Sequence, residues 1–342
     1  MTGALPQAFR QQSDACAALG SPFMARLCAL LADRLRPDRP LTRRLFDWPG
    51  DMTAAGDAVP LRLAGALHAL VLRGHAGLTA VYPPHEAPDD ALWQAIDTAL
   101  DSEEGFIAPF IDRAPQTNEV RRAAVLIAAG HWLAERFTLP FVFSELGASA
   151  GLNLNWDRFA LQAGQARLGS PSARVVLTPD WSGALPFAAD ITVAQRAGVD
   201  LAPIDLQDPE ARLRLLAYLW PDQPHRRALT EAAIATSPPK PDRADAIDWL
   251  QTRLSPKPGH LHLVWSTVAW QYFPRAAQAR GTRLMEEAGA RATPDAPLAW
   301  LSYEADGTSP GAALTLRLWP GNRTLDLGRA DFHGRWVDWR AP

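Results

Sequence analysis

The groups best suited to chemistry in this chain are concentrated in Glu145-Leu146-Gly147-Ala148-Ser149-Ala150-Gly151. An acid followed by two glycines, in the pattern E-x-G-x-x-x-G, suits a ligand that comes close to the backbone. Gly147 permits a sharp turn, and Gly151 permits approach where a side chain would collide. The Glu145 carboxylate, carried to the end of an apolar run, needs a partner, and an ammonium or guanidinium is the natural one. If a helix starts after the turn, its free N–H groups face the ligand. The same letters also read G-x-S-x-G, the pattern of a nucleophile elbow, with Ser149, Asp295 and His333 in the order Ser…Asp…His. The plainest reading is a tight strand-to-helix connection that binds nothing.

These residues have to be held by the elements around them. Phe141–Leu146 is a short apolar run and predicts a buried strand. Further strands are predicted at Arg174–Thr178, Val199–Leu206, His260–Trp265 and Leu298–Tyr303. Helical patterns separate them: one after Asp208-Pro209-Glu210 with Leu213, Leu216 and Leu219 on one face, then Ala244–Leu254 and Arg275–Ala288. Leu314–Trp319 and Thr324–Leu327 flank Pro320-Gly321-Asn322, a hairpin signal. Alternating strands and helices imply a parallel sheet covered on both faces, with ligands at the carboxyl ends of the strands.

The first 115 residues read as helices, at Pro22–Leu35 behind Ser21, at Pro60–Arg73 and at Ala91–Leu100, with loops at 37–59 and 74–88. Glu119–Phe137 predicts the helix that leads into the first strand. The expected fold is an α/β, Rossmann-like domain over residues 116–342, with a mostly parallel sheet and a C-terminal antiparallel hairpin, preceded by a helical N-terminal region over 1–115. An α/β-hydrolase places several strands before its elbow, and none is predicted before Phe141, which weighs against Ser149 as a nucleophile. G-x-G-x-x-G is absent, which weighs against a dinucleotide fingerprint.

Composition narrows the classes further. The chain has 342 residues, 47% of them apolar and 21% charged, the mixture of an ordinary globular protein. A net charge of −3 argues against a general nucleic-acid binder without excluding a local basic groove. Cys16 and Cys28 have neither CxxC spacing nor a nearby histidine cluster, so they read as buried thiols suited to a reducing cytoplasm. There is no signal-peptide pattern and no apolar run of the roughly 18 residues a membrane helix needs. A cytoplasmic protein that does not engage a membrane is expected. His260 and His262 share one strand face without a third ligand, so no metal is expected.

The E-x-G-x-x-x-G segment resembles the glycine-rich first motif of class I methyltransferases, with Ser149 at the usual middle glycine. That resemblance implies S-adenosylmethionine as a small-molecule cofactor, contacted by Glu145, Gly147, Ala148, Ser149 and Gly151. It implies an acid after the second strand for the ribose hydroxyls, where Asp180 is placed, and one after the third strand near the adenine, where Asp205 is placed. Each also has a plain reading, Asp180 as a turn residue and Asp205 as a helix cap. The acceptor would meet Ser266, Gln271 and Tyr272 after the fourth strand. Gln116, Asn118 and Glu119 ahead of the first strand's helix, and Asn153 just past the second glycine, join the same candidate pocket, although Thr117 or Asn118 serves equally as a cap. His333-Gly334-Arg335-Trp336 offers a base and an anion partner, or a surface turn.

Taken together, PQTNEVRRAA, ELGASAGLNLNWDRF, DLAPIDLQDPEARLRLLAYLWPDQ, VWSTVAWQYFP, ATPDAPLAWL and HGRWVDW resemble, over nearly the whole chain, a bacterial family known only as a domain of unknown function. The expectation is an S-adenosylmethionine-dependent, methyltransferase-like protein whose acceptor the sequence does not name. The alternatives are a serine hydrolase acting through Ser149 and a non-catalytic interaction protein on the same fold.

Overall fold

The computed structural model describes residues 3–342. The chain divides into two compact units. One comprises the residues up to Thr117 together with Gln207–Ala228, and the other Asn118–Leu206 together with Leu229–Pro342.

The first unit is helical. Ser21 accepts from the Met24 N–H at 3.3 Å, and Pro22 occupies the first position of the helix Pro22–Arg34. Phe23, Leu27, Leu30 and Leu31 then fall on its buried stripe. Several helices go beyond the sequence reading, including Ala76–Thr79 within the stretch 74–88 expected to be loop. Ala4–Ala18 buries Leu5, Phe9 and Cys16, and Pro40–Phe46 forms in the stretch expected to be loop. The helix Pro209–Ala217 starts at Asp208, whose carboxylate accepts from the Glu210 N–H at 2.9 Å. It belongs to this helical unit, where Ala217, Tyr218 and Trp220 join the core.

The second unit is built on a large sheet. Its strands in chain order are β1 Phe141–Leu146, β2 Ala160–Ala163, β3 Ala166–Gly169, β4 Val176–Leu177, β5 Asp180–Ser182, β6 Val193–Asp200, β7 Asp242–Arg243, β8 Leu261–Thr267, β9 Leu298–Glu304, β10 Ala312–Trp319, β11 Arg323–Ala330 and β12 Trp336–Trp339. The nine-stranded sheet has the order β5-β12-β11-β10-β9-β8-β1-β6-β7, while β2, β3 and β4 form a small separate sheet. From β7 through β9 every neighbour is parallel. From β9 through β12 they are antiparallel. The mixed α/β architecture, with a mostly parallel sheet, C-terminal antiparallel strands and an N-terminal helical region, agrees with the sequence reading.

Two strand assignments are corrected. Arg174–Thr178 does not enter the main sheet; only Val176–Leu177 of it is strand, and it pairs with β2. The neighbour of β1 is instead β6, which ends at Asp200 where the sequence reading had the strand running to Leu206.

After β1 the chain builds outward through β6 and β7, then returns to place β8 on the other side of β1. The order therefore reverses at β1, the position at which open α/β sheets take their ligands. On one face of the sheet Phe141, Phe143 and Glu145 lie in register with Leu261, Leu263 and Trp265. Trp156 stacks on Phe143 at 4.9 Å between ring centroids. The other face carries Leu146 and Val264 against Trp249, Leu250, Met285, Trp300 and Trp319.

Candidate functional site

Six buried residues form β1, which carries Glu145 to the carboxyl edge of the sheet. The chain then reverses through Gly147 at φ 72°, Ser149 at φ 53° and Gly151 at φ 75°. A Cβ on Gly147 would lie 2.5 Å from the Ala269 Cβ, and one on Gly151 2.7 Å from the Pro239 carbonyl oxygen. Glycine is required at both positions by conformation and by space. A short 3-10 helix, Leu152–Arg158, follows. It replaces the longer helix that would have aimed its N-terminus at a ligand.

Most N–H groups of this loop are already in use. Those of Gly147 and Ala148 donate to the Val199 carbonyl at 2.9 and 3.0 Å. The Ser149 N–H donates to Asp200 Oδ2 at 2.9 Å, and the Leu152 N–H to Asn118 Oδ1 at 2.9 Å. The Gly151 N–H turns back to the Ala148 carbonyl at 2.7 Å. A phosphate-binding loop leaves such donors for the anion. This loop spends most of them on its own framework, and it is flanked by the acids Glu145 and Asp200.

Glu145 is 2% exposed, and its Oε2 has no hydrogen-bond partner. Burial pushes its carboxyl up to about 8. The neighbouring Trp265 indole opposes that rise, the Asp200 charge adds to it and the Arg122 charge opposes it. Trp265 Nε1 is itself buried without a hydrogen bond of normal geometry, as are Ser149 Oγ, Asn153 Oδ1 and Ser266 Oγ. Buried polar atoms are nearly always paired in folded proteins, so their concentration beside the loop marks it out from the rest of the sheet. Arg122 donates through Nε to the Phe332 carbonyl and through Nη1 to that of Thr267, both at 2.9 Å.

The expected site residues separate as follows. Glu145, Gly147, Ala148, Ser149 and Gly151 form the loop, with Ala148 turned inward against Gly198. Asn118 and Glu119 join it, the first through Leu152 and the second through the Asn153 amide, which donates to the Glu119 carbonyl at 3.3 Å. Ser266, Gln271 and Tyr272 lie at the end of β8 and in the turn after it, with Tyr272 72% exposed. Asp205 stands on the loop after β6 as an ion-pair partner of Lys240 at 2.6 Å, and the adjacent Ile204 N–H donates to the Ser149 carbonyl at 3.0 Å. Gln116 belongs to the helical unit.

Asp180 is a correction. It is on β5, six strands from β1 in the sheet order, which at about 4.8 Å per strand is roughly 29 Å away. The acid that does end the neighbouring strand is Asp200, whose Oδ2 accepts from Ser149 and whose Oδ1 accepts from the Ala202 N–H at 2.9 Å. Sequence reading passed over it because β6 is half-exposed and polar, VAQRAGVD, whereas RVVLT looked like the better strand. Its signal was the aspartate at the head of DLAPIDLQDPEA.

The hydrolase triad is not assembled. Ser149 Oγ has no hydrogen-bond partner, so no histidine activates it. Asp295 precedes β9, at the end of the sheet opposite the loop. Ser149 is accordingly expected to remain unlabelled by a fluorophosphonate probe, and labelling that Ser149→Ala abolishes would contradict this assignment.

A mostly parallel sheet whose order reverses beside a glycine turn, with the buried Glu145 and the half-buried Asp200 at the ends of two adjacent strands, defines a mixed α/β protein. The chain belongs to the bacterial family described as "Uncharacterized protein conserved in bacteria (DUF2332)", whose profile matches residues 6–339. No curated protein and no solved structure matches it. No helix among the described residues is long and apolar enough to cross a membrane.

Proposed function

We propose that the carboxyl end of β1 binds S-adenosylmethionine and that the protein is a methyltransferase-like enzyme. The observation that carries this reading is the pair of acids, Glu145 and Asp200, at the ends of β1 and β6 on either side of a glycine turn most of whose N–H groups are engaged internally. Such a site repels phosphate and favours a ligand with an ammonium, ribose hydroxyls and no phosphate. The parallel order β7-β6-β1-β8-β9 supports it, because it places both acids at the switch point.

In this reading Glu145 pairs with the ammonium of the methionine end. Asp200, at the end of β6, accepts from the ribose hydroxyls. Arg122 faces the ligand carboxylate with the edge of its guanidinium beyond Nε and Nη1. Asp205 stands on the adenine side. The sulfonium brings its own leaving group, so the protein's task is to hold donor and acceptor in line. The acceptor approaches past Ser266, Gln271 and Tyr272.

Asp200 and the more distant Asp180 separate this arrangement from the one the sequence suggested. Asp200→Ala is expected to weaken adenosylhomocysteine binding by 10-fold to 100-fold, about 1.4 to 2.8 kcal/mol. Asp180→Ala is expected to leave it unchanged. Titration of both variants against the parent decides it: equal affinities, or a loss with Asp180 alone, would remove Asp200 from the site.

A further inference from the structure

We propose that Glu304 is the positioning residue of this site: its carboxylate fixes the turn after β8 in the conformation that seats Ala269 over Gly147. Glu304 ends β9 and is 7% exposed. Its Oε1 accepts from the N–H groups of Ala269 and Trp270, both at 3.1 Å. Its Oε2 accepts from Ala269 at 3.1 Å and Gln271 at 3.3 Å. A buried carboxylate commonly pairs with a cation. This one grips consecutive backbone donors of a turn instead.

The residue before those donors is strained. Val268 has φ 54°, a region that β-branched side chains rarely enter, and such strain persists only where the surroundings over-determine it. The end of β9 supplies that constraint. The Val268 N–H donates to the Tyr303 carbonyl at 2.8 Å, and the Ala305 N–H donates to Gln271 Oε1 at 2.8 Å. From the outer side, Gln278 Nε2 donates to the Trp270 carbonyl at 2.9 Å. Residues 268–271 are thus gripped one after another by residues 303–305. The Ala269 Cβ fills the space that a side chain at Gly147 would need, so the placement of this turn sets the placement of the glycine loop. The consequence for cofactor affinity rests on the proposed function; the clamp itself does not.

Glu304→Gln keeps the size but turns an NH2 group toward N–H donors. In this variant, amide hydrogen exchange at 269–271 and at 147–151 is expected to accelerate at least 10-fold, with β1, β8 and β9 protected as in the parent. Adenosylhomocysteine affinity is expected to fall at least 10-fold. Should the glutamine variant not fold, Glu304→Asp, with both oxygens on a shorter arm, takes the same comparison. Unchanged exchange in the two segments, or exchange that rises equally along β8 and β9 as in plain loss of stability, would overturn the proposal. A parent protein that binds no adenosylhomocysteine overturns the cofactor reading, and the exchange comparison still decides the clamp.

Discussion

Glu145→Gln is expected to stabilise the protein at pH 8 and, on the proposed function, to weaken S-adenosylmethionine binding. In the folded state burial raises the Glu145 carboxyl from 4.5 to about 8. Between those values the folded protein keeps the proton that the unfolded chain has lost, so stability falls as pH rises. Each pH unit is worth about 1.4 kcal/mol, and the whole window amounts to roughly 5 kcal/mol. Glutamine is close in shape to the protonated acid and does not titrate. The gain of the variant over the parent therefore vanishes near pH 4.5 and reaches about 3–5 kcal/mol at pH 8. Denaturant midpoints of both proteins at pH 5 and pH 8 measure it; parallel pH profiles would contradict it. In the proposed site the glutamine would meet the ligand ammonium without a charge, a loss of about 1.5–3 kcal/mol for a charged hydrogen bond, or roughly 10-fold to 100-fold in affinity. A group that costs stability when empty and binds when charged is the trade expected at a functional site.

The second large effect is at Gly147. Alanine there has to accept φ 72° and a Cβ 2.5 Å from that of Ala269. The left-handed conformation costs about 1–2 kcal/mol, and overpacking adds about 1–3 kcal/mol. Gly147→Ala is therefore expected to lower stability by roughly 2–5 kcal/mol. Ala269→Gly removes the collision and leaves the conformational cost. Combining the two should recover about 1–3 kcal/mol relative to additivity, read from urea midpoints at constant slope. Strict additivity would show that the glycine loop and the β8 turn do not touch as described.

The parts of this site written in neighbouring residues were legible in the sequence. Phe141–Leu146 closed by two glycines announces a buried strand and a reversal, and nothing distant has to be known to read it. The polar run Asn118-Glu119 was flagged as a helix start facing the same pocket, and its Asn118 is bonded to Leu152. What the sequence did not disclose depends on pairing. Asp200 ends a strand whose half-exposed residues look like loop, and its role follows only from its position beside β1. Asp180 was placed by counting strands, and the count failed because the apolar segment before it went to a second small sheet. Glu304 has no local signature, because its partners are 33 to 35 residues earlier in the chain. The helix Pro209–Ala217 shows its apolar stripe plainly, but a stripe does not say which core receives it, and it is the helical one.

The central claim is that the carboxyl end of β1 is a cofactor site selected by two acids. Calorimetric titration of the unaltered protein with S-adenosylmethionine at pH 7.5 tests it most directly. The account predicts one site per chain, with a thermal midpoint that rises with ligand: at 100 times Kd a ligand specific for the folded state adds about 2.7 kcal/mol. Binding draws a proton from Glu145, so the heat should differ between buffers of different ionisation enthalpy. No heat and no thermal shift at millimolar S-adenosylmethionine would contradict the account.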